Sequence, residues 1–217
     1  MIQVSELHYT TQDGIKVLDD VHLHVDQGDI LILLGAAASG KSLLLGLLSA
    51  HVPPQQGQIL VHGRNIARIG ADKILSLRRR IGFYPQGFLP LRRTVRENVM
   101  FKLRALGYDR EQADEKVLLA LESVGLIRQQ SADALELSSV ERVRLGVALA
   151  VCHEPLLLLV DEPFEGLAEP EKAEVARLLS RMGNGHLSIV IASRGPVPPG
   201  IEDSRRVRLI DGKVKPA

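Results

Sequence analysis

The spacing of apolar residues changes several times along the chain, and each change marks a different predicted element. Residues 2–9 and 16–25 (Val17, Leu18, Val21, Leu23, Val25) alternate in part with polar residues, predicting two strands joined at Gln12-Asp13-Gly14. After Gly28-Asp29, the run Ile30-Leu31-Ile32-Leu33-Leu34 is apolar throughout, as expected of a strand buried on both faces. Leu43, Leu44, Leu45, Leu47 and Leu48 then predict a helix that stops before Pro53-Pro54. Residues 57–62 and 80–84 read as further short strands.

From about 94 to 136 the period becomes helical, with Ala113, Val117, Leu121 and Val124 on one face and Gly125 at the stop. A helix starting near Ser138 leads into a strand at 156–160. Pro170 suits the first turn of the next helix, whose Val175, Leu178, Leu179 and Met182 form a stripe ending at Gly183. Residues 188–192 are again almost wholly apolar, and 206–214 predict a hairpin around Asp211-Gly212. The pattern describes a β-rich opening, a parallel α/β core and a helical insertion, with no internal repeat.

Composition narrows the possibilities without deciding among them. The chain has 217 residues, enough for one well-cored domain, with 45% hydrophobic and 24% charged residues. Its net charge of +1 gives no general case for a nucleic-acid partner or an anionic membrane surface. Arg78-Arg79-Arg80, Arg92-Arg93 and Arg205-Arg206 read as solvated faces. The single Cys152 excludes an internal disulfide, and its apolar helical surroundings predict a buried structural thiol. No basic, then apolar, leader is expected at the start, and no apolar run approaches the ~20 residues that span a bilayer. The seven histidines lack metal-ligand spacing; His22 and His24 share a strand face and read as a surface pair.

The chemistry concentrates in two segments. Gly35-Ala36-Ala37-Ala38-Ser39-Gly40-Lys41-Ser42 fits G-x-x-x-x-G-K-[ST] between a buried strand and a leucine-rich helix that opens at Leu43. In such a loop successive backbone N–H groups and a helix N-terminus surround a β-phosphate, and the lysine neutralises charge. Lys41 takes that role, and the Ser42 hydroxyl is placed to ligate Mg²⁺. Ala36, Ala37 and Ala38 fit provided that they keep negative φ angles. Far downstream, Leu156 to Val160 forms a second buried strand ending in Asp161-Glu162-Pro163. Asp161 is placed to hold the Mg²⁺ shell and Glu162 to polarise an attacking water.

With these motifs the chain resembles the ATP-binding cassette (ABC) ATPases over essentially its whole length. Ile81-Gly82-Phe83-Tyr84-Pro85-Gln86 looks like the family's Q-loop, and Thr94-Val95-Arg96-Glu97-Asn98 like the start of its helical subdomain. The resemblance implies one domain over 1–217: a P-loop NTPase with a RecA-like parallel sheet, an N-terminal antiparallel β subdomain and an α-helical subdomain. Residues 1–86 and 156–217 would form the core, and about 87–155 the Q-loop and helical subdomain. It also implies that Tyr9 stacks adenine, that Gln86 reaches the metal and attacking water, and that ATP and Mg²⁺ are bound. A membrane permease subunit and a second cassette, the same or different, are the implied partners at the inner face of the cell membrane. Spacing and several residues resemble the short bacterial ATPases that serve lipid, lipoprotein and cell-division complexes, and Asp161 to Gly166, with Pro170, look most like the lipid-trafficking (Mla, MCE-associated) branch.

Three segments depart from the family pattern. Leu137-Ser138-Ser139-Val140-Glu141 stands where a glycine-rich signature is expected, and Val140 puts a stiff β-branched side chain there. Ser138 and Glu141 retain the spacing of a capping box. Ala168 replaces an aspartate that would reach across a dimer. Arg194 stands where a histidine would meet the γ-phosphate; arginine donates but cannot accept a proton. We therefore expect ATP binding with weakened turnover, or alternatively a nucleotide-binding scaffold with little hydrolysis of its own.

Overall fold

The computed structural model describes residues 1–183 and 186–217. Strands β1 (Ile2–Thr10) and β2 (Lys16–Val25) pair antiparallel, and β4 (Gln56–Val61) adds to the free side of β1. The short β5 (Arg64–Asn65) completes a four-stranded sheet of order β2-β1-β4-β5. The second sheet contains β3 (Ile30–Leu34), β6 (Ile81–Tyr84), β7 (Leu157–Asp161), β8 (Ser188–Ser193), β9 (Arg205–Ile210) and β10 (Lys213–Pro216). Its order is β10-β9-β3-β8-β7-β6, parallel throughout except for the edge hairpin β9–β10.

Alternation explains why the central strands carry no polar residue in their interior. Leu31, Leu33, Leu157, Leu159, Val190 and Ala192 point toward the antiparallel sheet, where they meet Ile2, Leu7, Val21 and Ile59 and the leucines of α1 (Lys41–Leu48). Ile30, Ile32, Leu158, Val160, Ile189 and Ile191 point the other way, into a core formed with α5 (Ser139–Val151) and α6 (Glu169–Gly183). Each strand is buried on both faces, so the period-2 signal vanishes, as in other covered parallel sheets.

The predicted helical segment divides into α3 (Val95–Ala105) and α4 (Arg110–Ser123). Gly107 (φ 92°) makes the break, and Gly125 (φ 73°) ends the second helix. Thr94 and Glu97 form a reciprocal capping box on α3, and Asp109 caps α4. Asn98 is buried; its amide donates to the carbonyls of Leu91, Arg93 and Thr94, fixing the path into the helix. One helix, α2 (Ala71–Arg78), was not expected from the sequence. Within it Leu77 is buried while Leu75 is 62% exposed, so its eight residues hold no sustained apolar stripe.

Helix α5 lies unusually close to the sheet. A Cβ at Gly82 would fall 2.3 Å from the Ala150 carbonyl oxygen, and one at Gly146 would meet the Tyr84 ring at 2.5 Å. Just past this helix, burial pushes the Cys152 thiol up to about 11, so it remains a protonated core group as expected. Burial, helped by the positive charge of Lys102 and Lys116, pushes the adjacent His153 imidazole down to about 4. The unfolded chain, with its histidine at 6.5, therefore takes up the proton first on acidification. This contribution is complete above pH 6.5 and is lost as pH falls toward 4. We expect urea unfolding to show a loss of about 2 kcal/mol between pH 7 and pH 4.5 that a His153→Asn variant no longer shows.

Candidate nucleotide-binding site

The parallel strands end at one edge, and four consecutive strands there deliver the polar residues. Gly35 follows β3, Arg194 follows β8, Glu162 follows β7 and Gln86 follows β6. Ligands in open α/β sheets bind beyond the carboxyl ends of the strands for this reason. A cavity of about 270 Å³ lies at this edge, lined by Ala38, Ser39, Gly40, Lys41, Ser42, Leu43, Gln86, Glu162 and Arg194. The structure thus brings most of the predicted nucleotide residues together with Gln86, Glu162 and Arg194.

The loop before α1 is anchored at both ends. The Gly35 N–H donates to Ser193 O at 3.2 Å, and the buried Lys41 ammonium donates to Gly35 O and Ala36 O at 2.8 and 2.9 Å. The loop is thereby folded back over its own lysine. A Cβ at Gly35 would fall 2.9 Å from Leu209 O, so only glycine fits beside β9. The expectation that all three alanines keep negative φ is overturned: Ala38 has φ 57°. This left-handed conformation costs an L-residue about 1–2 kcal/mol.

Glu162 is hydrogen-bonded through its backbone and Oε2, while Oε1 is met only at ion-pair distance. Its backbone has φ 50°, its N–H donates to Ala192 O at 3.0 Å, and its Oε2 accepts from the Arg194 N–H at 3.0 Å. Its Oε1 lies 3.3 Å from Lys41 Nζ and 3.4 Å from Arg194 Nε. Non-glycine residues in the left-handed region collect where the surroundings force them, often at functional sites. Asp161, 3% exposed, leaves Oδ1 without a hydrogen-bond partner. Burial holds its carboxyl above the usual range, against the lowering effect of the Ser42 hydroxyl.

An unpartnered buried carboxylate oxygen beside a serine hydroxyl is a fit for a hard divalent cation. Among the described residues no group of three or more His, Cys, Asp or Glu could hold a metal. A cation here would therefore rely on Asp161, Ser42 and phosphate oxygens.

The sequence profile of the ABC transporter family matches residues 18–165, spanning the loop, Gln86 and Glu162. This chain belongs to the ABC transporter family. The cassette is 35% identical over 192 residues to the methionine import ATP-binding protein MetN of Carboxydothermus hydrogenoformans, covering 88% of this chain and 57% of that protein. It is 35% identical over 182 residues to the taurine import ATP-binding protein TauB of Escherichia coli, covering 84% of this chain and 68% of TauB. The cassette thus spans little more than half the length of the methionine-import relative. Among solved structures, cbiO1 from Clostridium perfringens, part of the transporter complex cbiONQ, superposes with TM-score 0.89 at 25% identity, covering 99% of this chain and 86% of that one.

Other predicted residues of the cassette lie outside this cavity. Tyr9 does not line it; it stands half-buried in β1 opposite Leu18, the residue that packs under Gly40. Ser138 and Glu141 form the full capping box of α5, with Ser138 N–H donating to Glu141 Oε2 at 3.0 Å. Val140 is 7% exposed and packs its β-branched side chain into the helical core. Ser139 lines a neighbouring groove with Phe88, Arg142, Glu162 and Glu165. Ala168 is exposed, its N–H donating to Glu171 Oε2 at 2.7 Å at the start of α6.

One residue of the site escaped sequence reading. Glu165 Oε2 accepts from Gln86 Nε2 at 2.7 Å, and its Oε1 from Arg194 Nη1 at 3.1 Å. The only signal was a third carboxylate close behind Asp161 and Glu162, in a position that no motif template uses.

The strain at Ala38 gives a direct test of the loop geometry. Ala38→Gly should stabilise the chain by about 1 kcal/mol or less, because relief of the left-handed cost exceeds the entropic cost of glycine. Urea denaturation at neutral pH measures this difference.

Proposed function

We propose that the chain is the ATP-binding subunit of an ABC importer for a small solute, coupling ATP binding and hydrolysis to a membrane permease. The observation that carries this reading is the convergence of Lys41, Ser42, Asp161, Glu162 and Gln86 at one sheet edge around the phosphate loop. Backbone N–H groups of residues 38–43 and Lys41 would hold the phosphates, and Ser42 and Asp161 would hold Mg²⁺. When bound, that ion would neutralise charge on the phosphate oxygens. Glu162 would orient the attacking water and accept its proton, fixed between Lys41 and Arg194 so that its carboxylate cannot swing away. Arg194 would meet developing charge at the terminal phosphate. Tyr9 would stack the adenine.

The cargo and partners are inferred from the relatives. The MetN and TauB relatives are named for methionine and taurine import, and 35% identity over most of the chain weighs more than a few residues. The lipid-trafficking reading rests on Asp161 to Gly166 and Pro170 alone. A permease contact is supported by Leu89, Leu91 and Phe101, which stand exposed just beyond Gln86. A second cassette would complete the site from the Ser138–Glu141 side. Among the described residues no helix is long and apolar enough to cross a membrane, so attachment through such a partner at its inner face is our reading.

A second reading has its own support. Arg194 is already engaged by two carboxylates, and the exposed Ala168 stands where an aspartate is expected to reach a partner cassette. A regulatory cassette that binds ATP with slight turnover would look the same. Steady-state phosphate release separates the two. The transporter reading predicts ATP-dependent release that falls at least ~100-fold in Glu162→Gln, the scale of a lost general base, with nucleotide affinity retained. Negligible release from the native chain, unchanged in that variant, supports the regulatory reading; absence of ATP binding overturns both.

A further inference from the structure

The roles above use Gln86, Glu162 and Arg194 and leave Glu165 without one. Its carboxylate oxygens face different residues: Oε2 takes the Gln86 amide at 2.7 Å, and Oε1 takes Arg194 Nη1 at 3.1 Å. Gln86 follows β6 and Arg194 follows β8, the two strands that flank β7. One side chain on the turn after β7 therefore ties together the loops on either side of it. The Arg194 guanidinium is in turn shared, with Nε 3.4 Å from Glu162 Oε1 and Nη1 on Glu165.

We infer that Glu165 is a positioning residue that sets the preference of the site between nucleoside triphosphate and nucleoside diphosphate. The inference rests on the nucleotide-binding reading given above. Arg194 lines the phosphate-loop cavity beside Lys41 and Gln86, so it is a second cation, besides Lys41, facing the place of a terminal phosphate. A guanidinium offers a fixed fork of donors, and the Glu165 carboxylate and a phosphate oxyanion compete for the same fork. A triphosphate that takes the Nη1 edge of Arg194 displaces the contact with Glu165. A diphosphate, one phosphoryl group shorter, makes no such demand.

Glu165 therefore weakens triphosphate binding selectively. The pair is 43% exposed at Arg194 and 48% at Glu165, so it is weak enough for a phosphate to displace. A carboxylate that only braced the two loops would shift both nucleotides alike.

The test is calorimetric titration of the full chain, with Mg²⁺ present, using ADP and the β,γ-imido analogue of ATP. Glu165→Gln keeps an amide oxygen to accept from Gln86 and removes the charge facing Arg194. We expect the Kd of the imido analogue to fall about three- to fivefold, the factor carried by an exposed ion pair, with the Kd of ADP unchanged. In an Arg194→Ala background the same substitution should change neither. Glu165→Ser provides the same charge removal should the glutamine variant fold poorly. Equal shifts for both nucleotides, no shift in either, or a selective shift that survives without Arg194 would overturn the role of Glu165 alone. A native chain that binds neither nucleotide would overturn the nucleotide-binding reading with it.

Discussion

The six-stranded sheet is covered on both faces, by the antiparallel sheet and α1 on one side and by α5 and α6 on the other. That double burial leaves the strand ends as the place where polar groups can meet water and ligand. Strands β3, β8, β7 and β6 run parallel and adjacent, so their carboxyl ends deliver Gly35, Arg194, Glu162 and Gln86 to one line. Everything at the site follows from this register. The pairing of Asp161 with Ala192 puts the Glu162 N–H on Ala192 O, and the next residues, Ser193 and Arg194, then fall beside the phosphate loop.

Within that line the charges are balanced by neighbours across strands. Lys41 is nearly fully buried, and its donors are met by two loop carbonyls and by Glu162. Glu162 is met in turn by Arg194, and Arg194 by Glu165. Buried charges survive when they are paired and hydrogen-bonded, and removing one member leaves the next uncompensated. Among the described residues Asp161 Oδ1 and Glu162 Oε1 both lack a hydrogen-bond partner, but only Glu162 has cations at ion-pair distance, so at Asp161 a bound cation has the most to contribute.

The core strands and the motif-bearing turns were legible because their signals are local. An all-apolar run followed by Gly35 to Ser42 can be read residue by residue, as can Asp161-Glu162-Pro163 after four leucines and Val160. Helix α2 was missed because its eight residues hold no sustained apolar stripe. Ala38 was misjudged because its φ is set by the folded path of the loop, which no spacing rule contains. The burial of Val140 is set by the packing of α5 within the helical core. Glu165 has meaning only once β6 and β8 are known to flank β7, since its partners lie 79 and 29 residues away. What stayed hidden was set by tertiary register.

Gly82 and Gly146 give the molecule a mechanical property as well as close packing. With backbone against backbone at Ala150 and an aromatic ring against the helix at Gly146, no flexible side chain cushions β6 from α5. A displacement of the turn at 85–90 would therefore bear directly on α5. The same helix starts after the capped Ser138, so strain near Gln86 would have a short, closely packed route toward that end.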